Sequence, residues 1–178
     1  ININIYNGQA FRVACKNDYL EVAKWLLEIK PDINISADDE YVFRWVCAYN
    51  NLEVAKWLLE IKPDINISVY NDCAFRFACE NGHIKLAKWL LEIKPDINIS
   101  ANDEYAFRRA CENGHLKVAK WLLKIKPDIN ISAKEDCVFK YSNLIIKKWM
   151  VHYVPNYDVN RVRTIQNINK CSSLFDLI

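Results

Sequence analysis

Residues 101–132 read ANDEYAFRRACENGHLKVAKWLLKIKPDINIS and divide into two helix-like segments and a link. Asp103-Glu104 opens a segment in which Phe107, Ala110 and Cys111 fall at i, i+3 and i+4, the spacing of one apolar stripe on a helix. Asn113-Gly114 breaks that helix, as Asn-Gly pairs do. A second helix, richer in Leu, Val and Ala, is predicted from Leu116 to about Lys126, and Pro127 closes it. Ile129-Asn130-Ile131-Ser132 has β-like character and leads onward. Neither helix can bury its stripe alone.

The same unit recurs along the chain. Ala-Lys-Trp-Leu-Leu begins at Ala23, Ala55, Ala87 and Ala119, a period of 32 residues. Phe11, Phe43, Phe75, Phe107 and Phe139 keep the same beat, as do Pro31, Pro63, Pro95 and Pro127, with Pro155 coming after 28. A fixed period of this size means stacked supersecondary units, each stabilised by its neighbours. The predicted architecture is an all-α repeat solenoid.

Composition agrees and excludes other classes. In 178 residues, 52% are hydrophobic and 26% charged, enough apolar surface for a packed core. The net charge of +2 is too small to argue for nucleic acid or a polybasic membrane contact. No apolar run reaches the roughly 18 residues of a membrane span. With Met150 as its single Met, the chain is expected to be a slice of a longer protein.

Glu112-Asn113-Gly114-His115-Leu116 and Glu80-Asn81-Gly82-His83-Ile84 are similar to the turn between the two helices of the ankyrin repeat. The resemblance covers residues 1 to roughly 160 and recurs in register. It implies a helix-turn-helix unit with a short β-hairpin link. The family's Thr-Pro-Leu-His opening stands here as Tyr105-Ala106-Phe107-Arg108, and Lys126-Pro127 replaces its Gly-Ala. The Phe-Arg-x-Ala-Cys-Glu-Asn-Gly-His wording resembles the ankyrin proteins of giant amoeba-infecting DNA viruses (mimivirus-like). The array is assigned to residues 1–160, with five units of which the first and last are incomplete or worn. Residues 161–178 leave the pattern and are expected to form a capping segment, or else a docking segment for another protein.

The residues able to carry chemistry point to structure rather than catalysis. Cys15, Cys47, Cys79 and Cys111 repeat at one position of the stripe. Helices stacked about 8–10 Å apart cannot bridge cysteines whose Cα atoms must lie within about 7 Å, so reduced structural thiols are expected. Cys73, Cys137 and Cys171 form no Cys-x-x-Cys pair, and no metal site is expected. Asn34, Asn66, Asn98 and Asn130 head Asn-Ile-Ser sequons, read as silent in a reducing compartment. The ankyrin resemblance also implies that such link asparagines can accept hydroxylation; a hydrogen bond within the turn is the expected role. The isolated Gly8, Gly82 and Gly114 make no phosphate loop, and His83, His115 and His152 face no nucleophile. Neither an enzyme nor a cofactor is expected.

Recognition is read from the residue two after each repeat Phe. At 100° per residue it points away from the Phe-Ala-Cys stripe. Across the units it is Val13, Trp45, Phe77, Arg109 and Tyr141, a column rich in aromatics and Arg, as binding surfaces are. The resemblance implies that this helix and the hairpin tips line a concave groove, adding Tyr41, Tyr70 and Tyr105 at the tips and Tyr49 near the turn. Trp25, Trp57, Trp89, Trp121 and Trp149 form a second ladder, assigned to packing between outer helices. The expected function is non-catalytic binding of a protein partner, without nucleic acid or membrane, by an intracellular chain in host cytoplasm if viral. A monomer is expected, with the Trp ladder or tail as the route to self-association. A ubiquitin-ligase adaptor and a self-assembling particle component are the alternatives.

Overall fold

The computed structural model describes residues 8–153, and among these it holds ten helices and no strand. They pair in sequence: α1 (Gln9–Lys16) with α2 (Leu20–Ile29), α3 (Ala37–Ala48) with α4 (Leu52–Ile61), α5 (Val69–Glu80) with α6 (Ile84–Ile93), α7 (Ala101–Glu112) with α8 (Leu116–Ile125), and α9 (Ala133–Tyr141) with α10 (Leu144–Tyr153). The all-α solenoid is therefore present. The capping segment at 161–178 lies outside the described residues.

Burial keeps the period of the repeat. Phe11, Phe43, Phe75 and Phe107 are closed off from solvent, with the Ala (Val46 in the second unit) and Cys three and four residues on. The second helices contribute Val54, Leu86 and Val118, the Ala of each Ala-Lys-Trp, and Leu58, Leu90 and Leu122. The Trp ladder works between units: Trp57 lies against Phe11 of the preceding unit and Trp121 against Phe75, each with ring centroids 6.2 Å apart. No described residue plays that part for Trp25, which is 54% exposed. Val22 is 47% exposed for the same reason, although its counterparts Val54, Leu86 and Val118 are at 0%.

The turn inside each unit needs a left-handed residue. Gly82 and Gly114 adopt φ +79°, and Asp18 and Asn50 hold that conformation at φ 63° and 66°. At Gly82 space is a second constraint, since a Cβ there would lie 2.5 Å from His115 Nδ1 of the next unit. The next residue caps its neighbour: Asn51 Nδ2 donates to the carbonyls of Cys15 and Lys16, and His83 Nε2 donates to the Ala48 carbonyl at 3.0 Å. These side chains satisfy carbonyls that a helix end leaves unpaired.

The link differs from the expected β-hairpin. The side-chain oxygens of Asn34, Asn66, Asn98 and Asn130 accept from the N–H of the Ser two residues on, closing a turn as expected for asparagine. The chain then enters a left-handed helical turn rather than a strand. Asp38, Asp39 and Glu40 have φ 55°, 54° and 59°, and the same holds for Tyr70, Asn71 and Asp72 and for Asn102, Asp103 and Glu104. Each such residue costs about 1–2 kcal/mol. Two contacts hold it. The Arg after the repeat Phe bends back onto the turn's carbonyls: Arg44 on Asp39 and Asp38, Arg76 on Asn71 and Tyr70, Arg108 on Asp103 and Asn102. The last acid of the turn then accepts the backbone N–H of the next link, Glu40 from Asn66, Asp72 from Asn98 and Glu104 from Asn130. The Phe-Arg wording of the repeat is the requirement of this turn.

Both the Arg clamp and the His cap can be weighed by substitution. Arg76 is the most buried clamp, so Arg76→Ala should cost about 2–3 kcal/mol in a urea titration, as loss of charged hydrogen bonds does. Arg76→Lys should recover little, because one ammonium cannot grip two carbonyls as the planar fork does. Burial holds the His83 pKa below its ordinary value, with His115 adding to the effect against the Ala48 hydrogen bond. The unfolded chain therefore takes up this proton first, and stability present above an unfolded pKa of about 6.5 falls as pH drops through the lowered native value. His83→Asn, copying Asn51, should flatten that part of the pH dependence in thermal melts.

Candidate interaction surface

The first helices of adjacent units approach one another more closely than the second helices do. The stack therefore curves with α1, α3, α5, α7 and α9 on its inner side. On each of these from α1 to α7 the Phe, the small apolar residue three on (Ala14, Val46, Ala78 or Ala110) and the Cys are buried, so the residue after the Arg is turned from the core. Val13 and Tyr141 are exposed at that position, the latter at 68%, and Trp45, Phe77 and Arg109 are half-buried. The column inferred from the repeat thus lies in order along one face.

Its chemistry changes along the stack. Tyr41 and Trp45 on α3 and Tyr49 at its C-terminal cap stand at successive i+4 positions with centroids 5.7 and 5.5 Å apart, forming one aromatic ridge. Cations from α1 flank it. Arg12 lies 5.2 Å from the Tyr41 centroid and pairs with Asp38, and Lys16 Nζ lies 5.0 Å from Trp45 and 4.8 Å from Tyr49. All are within cation–π range.

Farther along, the surface is ionic. Arg109 Nη1 donates to Glu112 at 2.9 Å, and its Nε lies 3.2 Å from Glu80 as an ion contact without an aligned hydrogen bond. The Tyr105 hydroxyl donates to Glu80 at 2.7 Å, and the Arg109 guanidinium lies over that ring. The hydrogen bond to Glu112 raises the Arg109 pKa further, while burial and then the bond to Glu80 raise that of Tyr105. Arg109 is an internal tie between two units as well as a surface residue.

The tyrosines do not share one location. Tyr70 lies in the left-handed turn, exposed, with its hydroxyl on Asp39 and Arg44 over its ring. Tyr41 and Tyr105, expected at tips, instead begin the right-handed part of α3 and α7. The right-handed helix starts only after the three left-handed residues, which shifts them onto the inner face. Tyr49 extends the ridge at the turn. Sequence reasoning missed Lys16, Arg12 and Arg44. The signal for Lys16 was its column, which runs Lys16, Ala48, Glu80, Glu112 and reverses charge along the stack.

Cys15, Cys47, Cys73, Cys79 and Cys111 are free and buried. Desolvation raises their pKa values, that of Cys15 to about 12. No group of His, Cys, Asp and Glu among the described residues is arranged to hold a metal ion, and no described helix is long and apolar enough to cross a membrane. These five thiols should resist a thiol-titrating reagent in the native state and react with the kinetics of unfolding. Fast reaction of more than the remaining two would show the stripe to be open.

A family model described as ankyrin repeats in three copies matches residues 11–103 and 43–134. A chain in the solved structure of the predatory endopeptidase Bd0816 from Bdellovibrio bacteriovorus in complex with immunity protein Bd3460 is similar, at 25% identity and a TM-score of 0.59. The match covers 80% of each chain. No curated protein matches.

Proposed function

The chain belongs to the ankyrin-repeat family, and on that premise we propose that it is a non-catalytic module that binds a protein partner on its inner face. The observation that carries this reading is the aromatic ridge of Tyr41, Trp45 and Tyr49, continued by Val13 and Phe77. Large aromatics on a preformed surface supply binding energy with little ordering cost. The similar chain of known structure comes from a complex of two proteins, which supports the same use of the scaffold. Val13, Trp45, Phe77 and Tyr141 are the anchors in this reading; Arg109 and Tyr105 shape the far end, and Tyr70 and Tyr49 border the surface. The free chain is a monomer that uses neither nucleic acid nor membrane.

The resemblance of the repeats to ankyrin proteins of giant amoeba-infecting viruses directs the search for the partner to amoeba or other host cytosol. Affinity capture with the native chain beside a Trp45→Ala, Phe77→Ala, Tyr141→Ala variant should retain a protein on the first bait and lose it on the second. The variant's thermal melt would confirm that it is folded. Identical captures would remove the inner face from consideration.

One observation favours a second reading. Among the described residues Trp25 and Val22 are exposed where their counterparts in later units are covered, and self-association through them would suit a structural component. Light scattering that shows mass rising with concentration, and Trp25→Ala abolishing the rise, would put that reading first.

A further inference from the structure

The inner face is electrically lopsided. Helix α1 carries Arg12 and Lys16 and no acid. Arg12 is engaged by Asp38. Lys16 has no carboxylate partner among the described residues, and its ammonium meets only the faces of Trp45 and Tyr49. The carboxylates at the equivalent position of later units are answered internally. Glu80 is held by Tyr105 and Arg109, and Glu112 by Arg109 with Arg108 at 4.0 Å. The stretch over α5 and α7 is thus neutralised, and the α1 end keeps a positioned cation beside exposed apolar area.

Resting on the binding role proposed above, we infer that the corner formed by Val13, Lys16, Trp45 and Tyr49 sets specificity, taking a protein segment with a carboxylate side chain next to a large apolar one. The apolar side chain lies on Val13 and the exposed part of Tyr49, and the carboxylate meets Lys16 Nζ. The two rings hold the ammonium in place and limit the freedom it loses on pairing, which is how a preformed site gains affinity. Charge complementarity then selects among apolar partners. A polynucleotide does not fit this chemistry. Its backbone needs a row of free cations, whereas Arg12 is already paired, and Asp38 and Asp39 stand exposed beyond it.

The test is selection of a random linear peptide library on the full chain, on Lys16→Glu and on a Trp45→Ala, Tyr49→Ala variant, with melts confirming that each is folded. The native chain should enrich peptides with Asp or Glu beside Trp, Phe or Leu, and Lys16→Glu should enrich Lys or Arg in place of the acid. A synthetic peptide of the enriched sequence should bind Lys16→Glu about tenfold more weakly, with a smaller loss for Lys16→Gln, and more weakly as salt rises. Peptides that need Trp45 and Tyr49 but show no acidic preference, or an unchanged selection on Lys16→Glu, would overturn the inference and leave the inner-face reading standing. No enrichment over the Trp45→Ala, Tyr49→Ala variant would overturn both.

Discussion

Everything in this structure depends on each unit being closed by the next. A pair of ten-residue helices cannot bury a Phe, an Ala and a Cys on one side and a Leu-rich stripe on the other without a second pair laid against it. The position of Trp57 over Phe11, and of Trp121 over Phe75, shows how the closure is made. It also explains why residues identical in sequence differ in exposure: Trp25 has the same neighbours in its own helix as Trp57 but no described Phe to rest on. Burial here is a property of the interface between units. Fully burying a side chain of Phe size stabilises by about 1.5–3 kcal/mol, so stability accumulates mainly at these interfaces, as expected of a one-dimensional stack.

Stacking alone does not set the spacing. The link must leave one second helix and enter the next first helix at a fixed place, and it does so through three left-handed residues that sequence alone does not favour. Strain of this kind persists only where surroundings over-determine it. The Arg clamp acts from within the unit and the acid-to-backbone bond acts from one unit to the next. The turn that costs local energy is therefore also the turn that couples neighbours, which helps explain why Phe-Arg and a terminal acid recur together.

Much of the architecture was legible in the sequence because it is periodic. The stripe of Phe107, Ala110 and Cys111, the break at Asn113-Gly114 and the stop at Pro127 each have a local physical cause, and repetition multiplied a weak signal. The outward direction of Val13, Trp45, Phe77, Arg109 and Tyr141 came from helix geometry alone. The left-handed turn was hidden because Asp38-Asp39-Glu40 reads as an ordinary acidic first turn of a right-handed helix, and nothing in those residues asks for positive φ. That error moved Tyr41 and Tyr105 from the inner face to the tips. The cation pairing was hidden for a different reason. Lys16 and Trp45 belong to different units, and only the relative placement of those units brings them together.

The same periodicity separates what holds the chain together from what it can recognise. Positions that touch a neighbouring unit must satisfy the same geometry each time, so Phe, Cys and Trp recur, as does the Arg that clamps the turn inside its own unit. Positions on the inner face touch neighbours only at their edges and are free to differ. Arg109 was drawn into holding units together by giving its charge to Glu80 and Glu112, as Arg12 gave its own to Asp38. Lys16 made no such commitment. A surface side chain whose charge is not consumed by its own fold is the one left to discriminate among partners, and along this solenoid that freedom falls at the end where the aromatic area is largest.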